Sequence, residues 1–293
     1  MSVFAPTPTR ALPGRGARKF QRVTALRHRS TIVNLIGLTG LVLLVLLALL
    51  APVLAPYSPI LRAGTPFQPP LSPGFLLGTD ALGYDIFSRL LFGLRASITA
   101  AAIVIASGVI IGGLVGVVAG ALGGWADGLL MRVTDLFLAL PGILIAMVVA
   151  AALGASFTSS LIGVAVVWWP MYARLVRGEV RSWAARPHLE AATLAGVGWS
   201  RRVARHLLPG VTSTVVIAAS LDVGGLVVAM SGLSFIGLSS PAPAPELGAM
   251  AAQGMQYLLQ FWWVPVVPGL AVMLLALCAN LAGDGIRDLL ARR

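Results

Sequence analysis

The spacing of the charges constrains this chain more than any other feature. Thirty-two uncharged residues separate Arg29 from Arg62, thirty-one separate Arg95 from Asp127, and thirty-eight separate Asp135 from Arg174. A helix needs about 20 apolar residues to cross the hydrocarbon of a bilayer. The first run accommodates one helix at 32–55 and the second one at 96–121. The third is too long for one span, and a break at Leu153-Gly154-Ala155-Ser156 divides it into 128–152 and 157–178. A fifth span runs over 210–236, interrupted by Asp222, and a sixth over 263–283. Only 11% of the chain is charged, about half the share in a soluble domain. The expected fold is therefore an all-α integral membrane protein of six transmembrane helices.

Six spans put both termini on one side of the membrane. The first thirty residues carry Arg10, Arg15, Arg18, Lys19, Arg22, Arg27 and Arg29 without an acid, which places that side in the cytoplasm. The basic 179–209 loop then falls inside, with Arg181, Arg186, Arg201, Arg202 and Arg205, as does the tail with Arg287, Arg292 and Arg293. The 239–262 segment has no Lys or Arg and falls outside. The expected organisation is a basic tail over 1–30, a first helix over 31–56 and an extracytoplasmic loop region over 57–95. A five-helix core over 96–285 and a cytoplasmic tail over 286–293 complete it. The net charge of +11 flanks apolar spans, so its partner is anionic lipid and not nucleic acid.

Several chemistries are excluded. The only lysine, Lys19, is followed by Phe20, so there is no Gly-Lys-Ser/Thr phosphate loop. None of His28, His188 and His206 lies within a span, and Asp222 is the one acid clearly in mid-span. The lone Cys278 excludes an intrachain disulfide and a cysteine zinc cage. The chain reads as non-enzymatic, with no metal site and no bound cofactor. Gly112-x-x-x-Gly116, extended by Gly120, lets helix backbones approach closely and is read as helix packing before a dimer seam. Asp222 has two readings: it faces a path and favours a cation, or it is hydrogen-bonded between helices.

Between the fourth and fifth spans stands EAATLAGVGWSRRVARHLLPG, residues 190–210. Glu190 suits the first turn of a helix, Gly196-Val197-Gly198 punctuates it, and Trp199–Leu208 forms a second piece ended by Pro209-Gly210. An amphipathic helix–turn–helix tethered at both ends to spans is suited to passing a push from a soluble partner into the membrane.

This pattern resembles the EAA loop of ABC importer permeases. Glu190-Ala191-Ala192, Gly196 and Leu208-Pro209 stand in register, and His206-x-Leu208-Pro209 resembles the peptide-permease branch. Leu77-Gly78-Thr79-Asp80-x-x-Gly83-x-Asp85-x-x-Ser88-Arg89-Leu90 is similar to a signature of the second permease subunit in dipeptide, oligopeptide and nickel importers, with Tyr84 where Arg is usual. Asp127-x-x-x-Met131-Arg132-x-x-Asp135 resembles the family's third-span entry, and Arg132 and Asp135 are spaced to pair. Leu233–Leu238, Pro243–Met250 and Asn280–Asp288 extend the resemblance.

The resemblance implies a type I importer permease fold in the bacterial cytoplasmic membrane. It also implies partners: a homologous second permease forming a heterodimer, one or two ATPase subunits using ATP and Mg, and an extracytoplasmic solute-binding protein. Glu190, Ala191, Ala192, Gly196, Arg201, Arg202, Leu208 and Pro209 would dock the ATPase. Asp80, Gly83, Asp85, Arg89, Arg132 and Asp135 would be structural, and Asp222 a candidate for the translocation path. The cargo would be di- or oligopeptides, with a nickel chelate or other small solute as the alternative. A stand-alone secondary transporter would need no ATPase docking loop.

Overall fold

The computed structural model describes residues 33–187, 189, 194–239, 241 and 243–290. Helix α1 spans Val33–Leu49. Backbone bonds from Leu50 to Leu46, Leu54 to Leu50 and Ala55 to Ala51 carry its helical path to Ala55. Helix α2 spans Ile86–Leu122, starting ten residues before the expected 96. Asp85 sets that start: its carboxylate accepts bonds from the Ser88 N–H at 2.8 Å and the Ser88 hydroxyl at 2.6 Å, satisfying an orphan donor of the first turn. Residues 86–95 of the expected loop region are therefore helical.

The expected span at 128–152 is two helices, α3 over Gly124–Ala139 and α4 over Gly142–Leu153, bent by 87° to one another. Pro141 causes the bend. A residue before proline is pushed out of the helical region, and Leu140 sits at φ −102°, ψ 148°. Gly154 and Ser156 divide α4 from α5, as the sequence suggests. Helix α5 spans Phe157–Ala184, and the Ser156 hydroxyl caps it by accepting from the Ser159 N–H.

A short helical turn at Trp199–Arg202 leads through a wide π-helical turn, Val203–Leu207, into α6, Leu208–Phe235. The expectation that Pro209-Gly210 ends this piece does not hold. Pro209 lies in the first turn of α6, and the Leu208 N–H reaches back five residues to the Val203 carbonyl. A π turn accommodates a proline that would clash with a regular helix. Helix α7 is Leu247–Gly254 and α8 is Trp263–Leu290.

Helices α2, α5, α6 and α8 are each long and apolar enough to cross a membrane, and α3 with α4 make a fifth, bent span if taken together. Close backbone approach organises them. A Cβ on Gly112 would strike the Trp169 carbonyl, one on Gly116 the Ala173 carbonyl, and one on Gly120 the Val180 side chain. The glycine seam of α2 is thus filled by α5 of the same chain. Asn280 of α8 presses on Gly224 of α6, and Leu281 of α8 on Gly37 of α1. Asn34 donates a 3.0 Å bond to Asp288, so the start of α1 lies beside the end of α8.

Gly112→Leu should therefore force α2 and α5 apart, at a cost of about 1–3 kcal/mol for an overpacked site. Gly113→Leu should be neutral, because a Cβ there meets nothing within 4 Å. Thermal unfolding of both variants in detergent checks this. Equal midpoints would mean that the seam does not carry the packing.

Candidate functional site

The element between α5 and α6 has a packed root and an exposed tip. Leu189, Val203, Leu207 and Val211 are buried against Val176 and Val180 of α5. Trp183 reinforces the root: its indole lies against Gly210, where a Cβ would collide with the ring. The Arg186 guanidinium covers the indole at 3.4 Å from the ring centroid, a favourable cation–π contact.

Beyond the root the chain turns at Gly196, whose φ of +74° is a conformation glycine adopts without Cβ strain. Leu194 at the tip is 85% exposed. Arg201, Leu208 and Pro209 are exposed and Arg202 is half-buried. Glu190, Ala191 and Ala192 lie outside the described residues. The exposed tip is thus fixed at its base to two long helices.

Ion pairs fasten α3 to the same end of α5. Asp127 accepts bonds of 2.5 and 2.8 Å from Arg177 and a further bond from Arg181. Asp135 pairs with Arg174 at 2.5 Å, so the expected i,i+3 pair with Arg132 is replaced by an interhelical one, and Arg132 is exposed. A helix-end pair is worth a few tenths of a kcal/mol, so a better-placed guanidinium on α5 displaces it readily. The Asp135 pair is more than half exposed on both sides and contributes at most about 1 kcal/mol. The Asp127 carboxylate is only 9% exposed and holds two arginines, which makes it the firmer fastening. Sequence reasoning missed it, although Asp127 opens one of the family-like motifs.

At the other end of the helices Asp80, Gly83, Asp85 and Arg89 come together. Asp80 accepts bonds from the Leu82 and Tyr84 N–H groups, both 2.9 Å, and closes a tight turn through Gly83. Arg89 is buried. It donates to the carbonyls of Pro59 and Pro243, each at 3.0 Å, and stands 3.7 Å from Asp80. Its guanidinium lies 4.8 Å from the Tyr84 ring centroid, a use for the residue that replaces arginine in the signature. One arginine thus ties the 56–85 segment to the loop before α7. Beside it the buried Glu246 accepts bonds from the Ser234 hydroxyl and, at 2.8 Å, from that of Ser239. Ser234 and Glu246 both lie in family-like motifs, but the bond between them was not legible in either.

Asp222 lies midway along α6 and is half-buried. Its carboxylate accepts a 3.1 Å bond from the Trp168 indole N–H of α5. Among the described residues no cluster of three or more His, Cys, Asp or Glu is placed to hold a metal ion.

The family profile of binding-protein-dependent transport system inner membrane components matches residues 112–293. That of the N-terminal TM domain of oligopeptide transport permease C matches residues 29–70. A probable D,D-dipeptide transport system permease protein of Escherichia coli K12 is 40% identical over 75% of this chain and 74% of its own. A glutathione transport system permease protein of Pectobacterium atrosepticum is 39% identical over 73% and 71%. A dipeptide transport system permease protein of Haemophilus influenzae is 32% identical over 82% and 83%. Among solved structures, a chain of the MetNI methionine ABC transporter in an inward-facing conformation aligns with a TM-score of 0.56. The alignment covers 70% of this chain and 97% of that one at 19% identity, a likeness of fold.

Trp183→Ala should loosen the root of the 185–211 element by about 1–2 kcal/mol of lost apolar burial. Tryptic cleavage after Arg202, half-buried at the root, should accelerate by about tenfold as local opening becomes easier. Trp125→Ala, at a position 82% exposed, should leave the rate unchanged. Equal rates in both variants would show that Trp183 does not hold the element.

Proposed function

This chain belongs to the family of binding-protein-dependent transport system inner membrane components, and from that premise we propose that it is the second-type permease subunit of an ATP-driven peptide importer. The names of its relatives, which concern dipeptides and glutathione, favour peptide cargo over nickel chelates. The chain works as a membrane subunit of an ABC transporter, and ATP and Mg belong to its partner ATPases. In our reading it crosses the bacterial cytoplasmic membrane six times, with α1 and the bent α3–α4 pair as spans. Both termini are cytoplasmic, a placement supported by the contact of Asn34 with Asp288 and by the basic flanks. The 56–85 segment then lies outside, where a solute-binding protein docks, and a homologous permease completes a heterodimer.

The observation that carries this reading is the element between α5 and α6. Its tip turns at Gly196 and stands free, while its root is buried between the helices that must move. Glu190, Ala191, Ala192, Gly196, Arg201 and Arg202 would meet the ATPase, and Leu208 and Pro209 would pass the displacement through the π turn into α6.

Gly196→Asp should leave the complex assembled in the membrane and lower peptide uptake at least about tenfold, because it sets a negative charge on the docking surface. Gly196→Asn, which tolerates positive φ better than most residues and adds no charge, should retain most uptake. Uptake by co-expressed complexes, normalised to co-purified ATPase, checks this. Normal uptake by Gly196→Asp would remove the coupling role.

A further inference from the structure

Asp222 is the feature that the coupling mechanism leaves unused. It stands fourteen residues after Leu208 and thirteen before Phe235, at the midpoint of α6. Among the described residues no arginine pairs with it. An ionisable group at that depth is costly and marks a functional position by default. A carboxylate offers about four acceptor positions, and the fold supplies one clear donor, the Trp168 indole at 3.1 Å.

Two neighbouring observations say what is missing. Tyr172 of α5 is 1% exposed, and its hydroxyl is turned to the same carboxylate in a contact outside regular hydrogen-bond geometry. That buried hydroxyl holds the carboxylate from behind and leaves its remaining acceptor positions to a ligand. On α6 itself, Gly225 and Gly232 follow Asp222 at helical spacing, and a Cβ at either would meet nothing within 4 Å. The side of α6 next to the carboxylate is thus left open by the rest of the chain.

The chemistry that fits is a primary ammonium. It brings a positive charge and three N–H donors and no acceptor. One N–H reaches the free side of the half-buried Asp222. The partly exposed Trp168 ring adds cation–π attraction. We infer that Asp222 and Trp168, with the buried Tyr172 holding the carboxylate from behind, form an ammonium-recognition site in the translocation path, which takes the free amino terminus of a peptide. This rests on the peptide-importer reading above and adds a specificity determinant to it. Trp168 acts as a positioning residue that holds one carboxylate oxygen and turns the other outward.

The test is uptake by the complete importer, binding protein included, of dialanine and of N-acetyl-dialanine, normalised to the amount of assembled complex. Asp222→Asn should lower uptake of dialanine by about tenfold or more, the loss expected for a charged hydrogen bond. Uptake of the acetylated peptide should change by less than about twofold. The binding protein's own preference cancels in the ratio between variant and wild type. Asp222→Glu should retain uptake of dialanine, and where wild type passes only that peptide, the contrast of Glu with Asn decides. Tyr172→Phe, which keeps the ring, should shift the ratio in the same direction by a smaller factor. Equal losses on both peptides, or none on either, would overturn the site and leave Asp222 as a bond between helices. A wild-type complex that moves neither peptide would overturn the importer reading itself, and this site with it.

Discussion

The close approach of α2 and α5 is the constraint on which the rest depends. Carbonyls of α5 occupy the places where Cβ atoms of Gly112 and Gly116 would stand. In lipid there is little hydrophobic drive to bring helices together, so contact at backbone distance supplies the attraction. Once these two helices are registered, Tyr172 is seated between Gly108 and Gly112 and Trp168 faces α6. The root formed by Val176 and Val180 is then in place to receive Leu189, Val203 and Leu207.

Helix α5 consequently takes part in three of the contacts described above. Its middle holds Asp222 through Trp168, its far end is tied to α3 by Arg174, Arg177 and Arg181, and Trp183 clamps the element that leads into α6. A displacement applied at the Gly196 tip therefore has two routes, through the π turn into α6 and through the Trp183 clamp into α5. At the opposite end Arg89 and Glu246 join the 56–85 segment, α2, α6 and the loop before α7. The molecule is fastened firmly at both ends and more openly at mid-depth, along the side of α6 that bears Asp222, Gly225 and Gly232.

Much of the span pattern was readable because length and apolarity are local properties. The break at Gly154–Ser156 was visible for the same reason: a glycine and a capping serine act on their own turn. Other expectations failed where a neighbour in space intervened. The start of α2 moved to Ile86 because Asp85 caps it inside a folded loop. The straight span at 128–152 became two helices because Pro141 reshapes Leu140, a local signal that apolar counting ignores. Pro209 left its helix intact because a π turn absorbed it. Asp135 paired with Arg174 and left Arg132 exposed, since a guanidinium on a packed neighbour outcompetes one on the same helix.

The sequence by itself determined that this is a multi-span membrane chain whose one lysine stands outside any Gly-Lys-Ser/Thr motif, and the order of its motifs identified the family. Those properties follow from residue type and spacing along one chain. Only the tertiary structure decided which side chains meet: Arg89 with Pro243, Trp183 with Gly210, Asp127 with two arginines of α5, and Asp222 with Trp168 and Tyr172. Such pairings depend on the relative rotation and register of elements distant in sequence. That rotation is set by where glycines permit backbones to touch, which only the packed helices reveal.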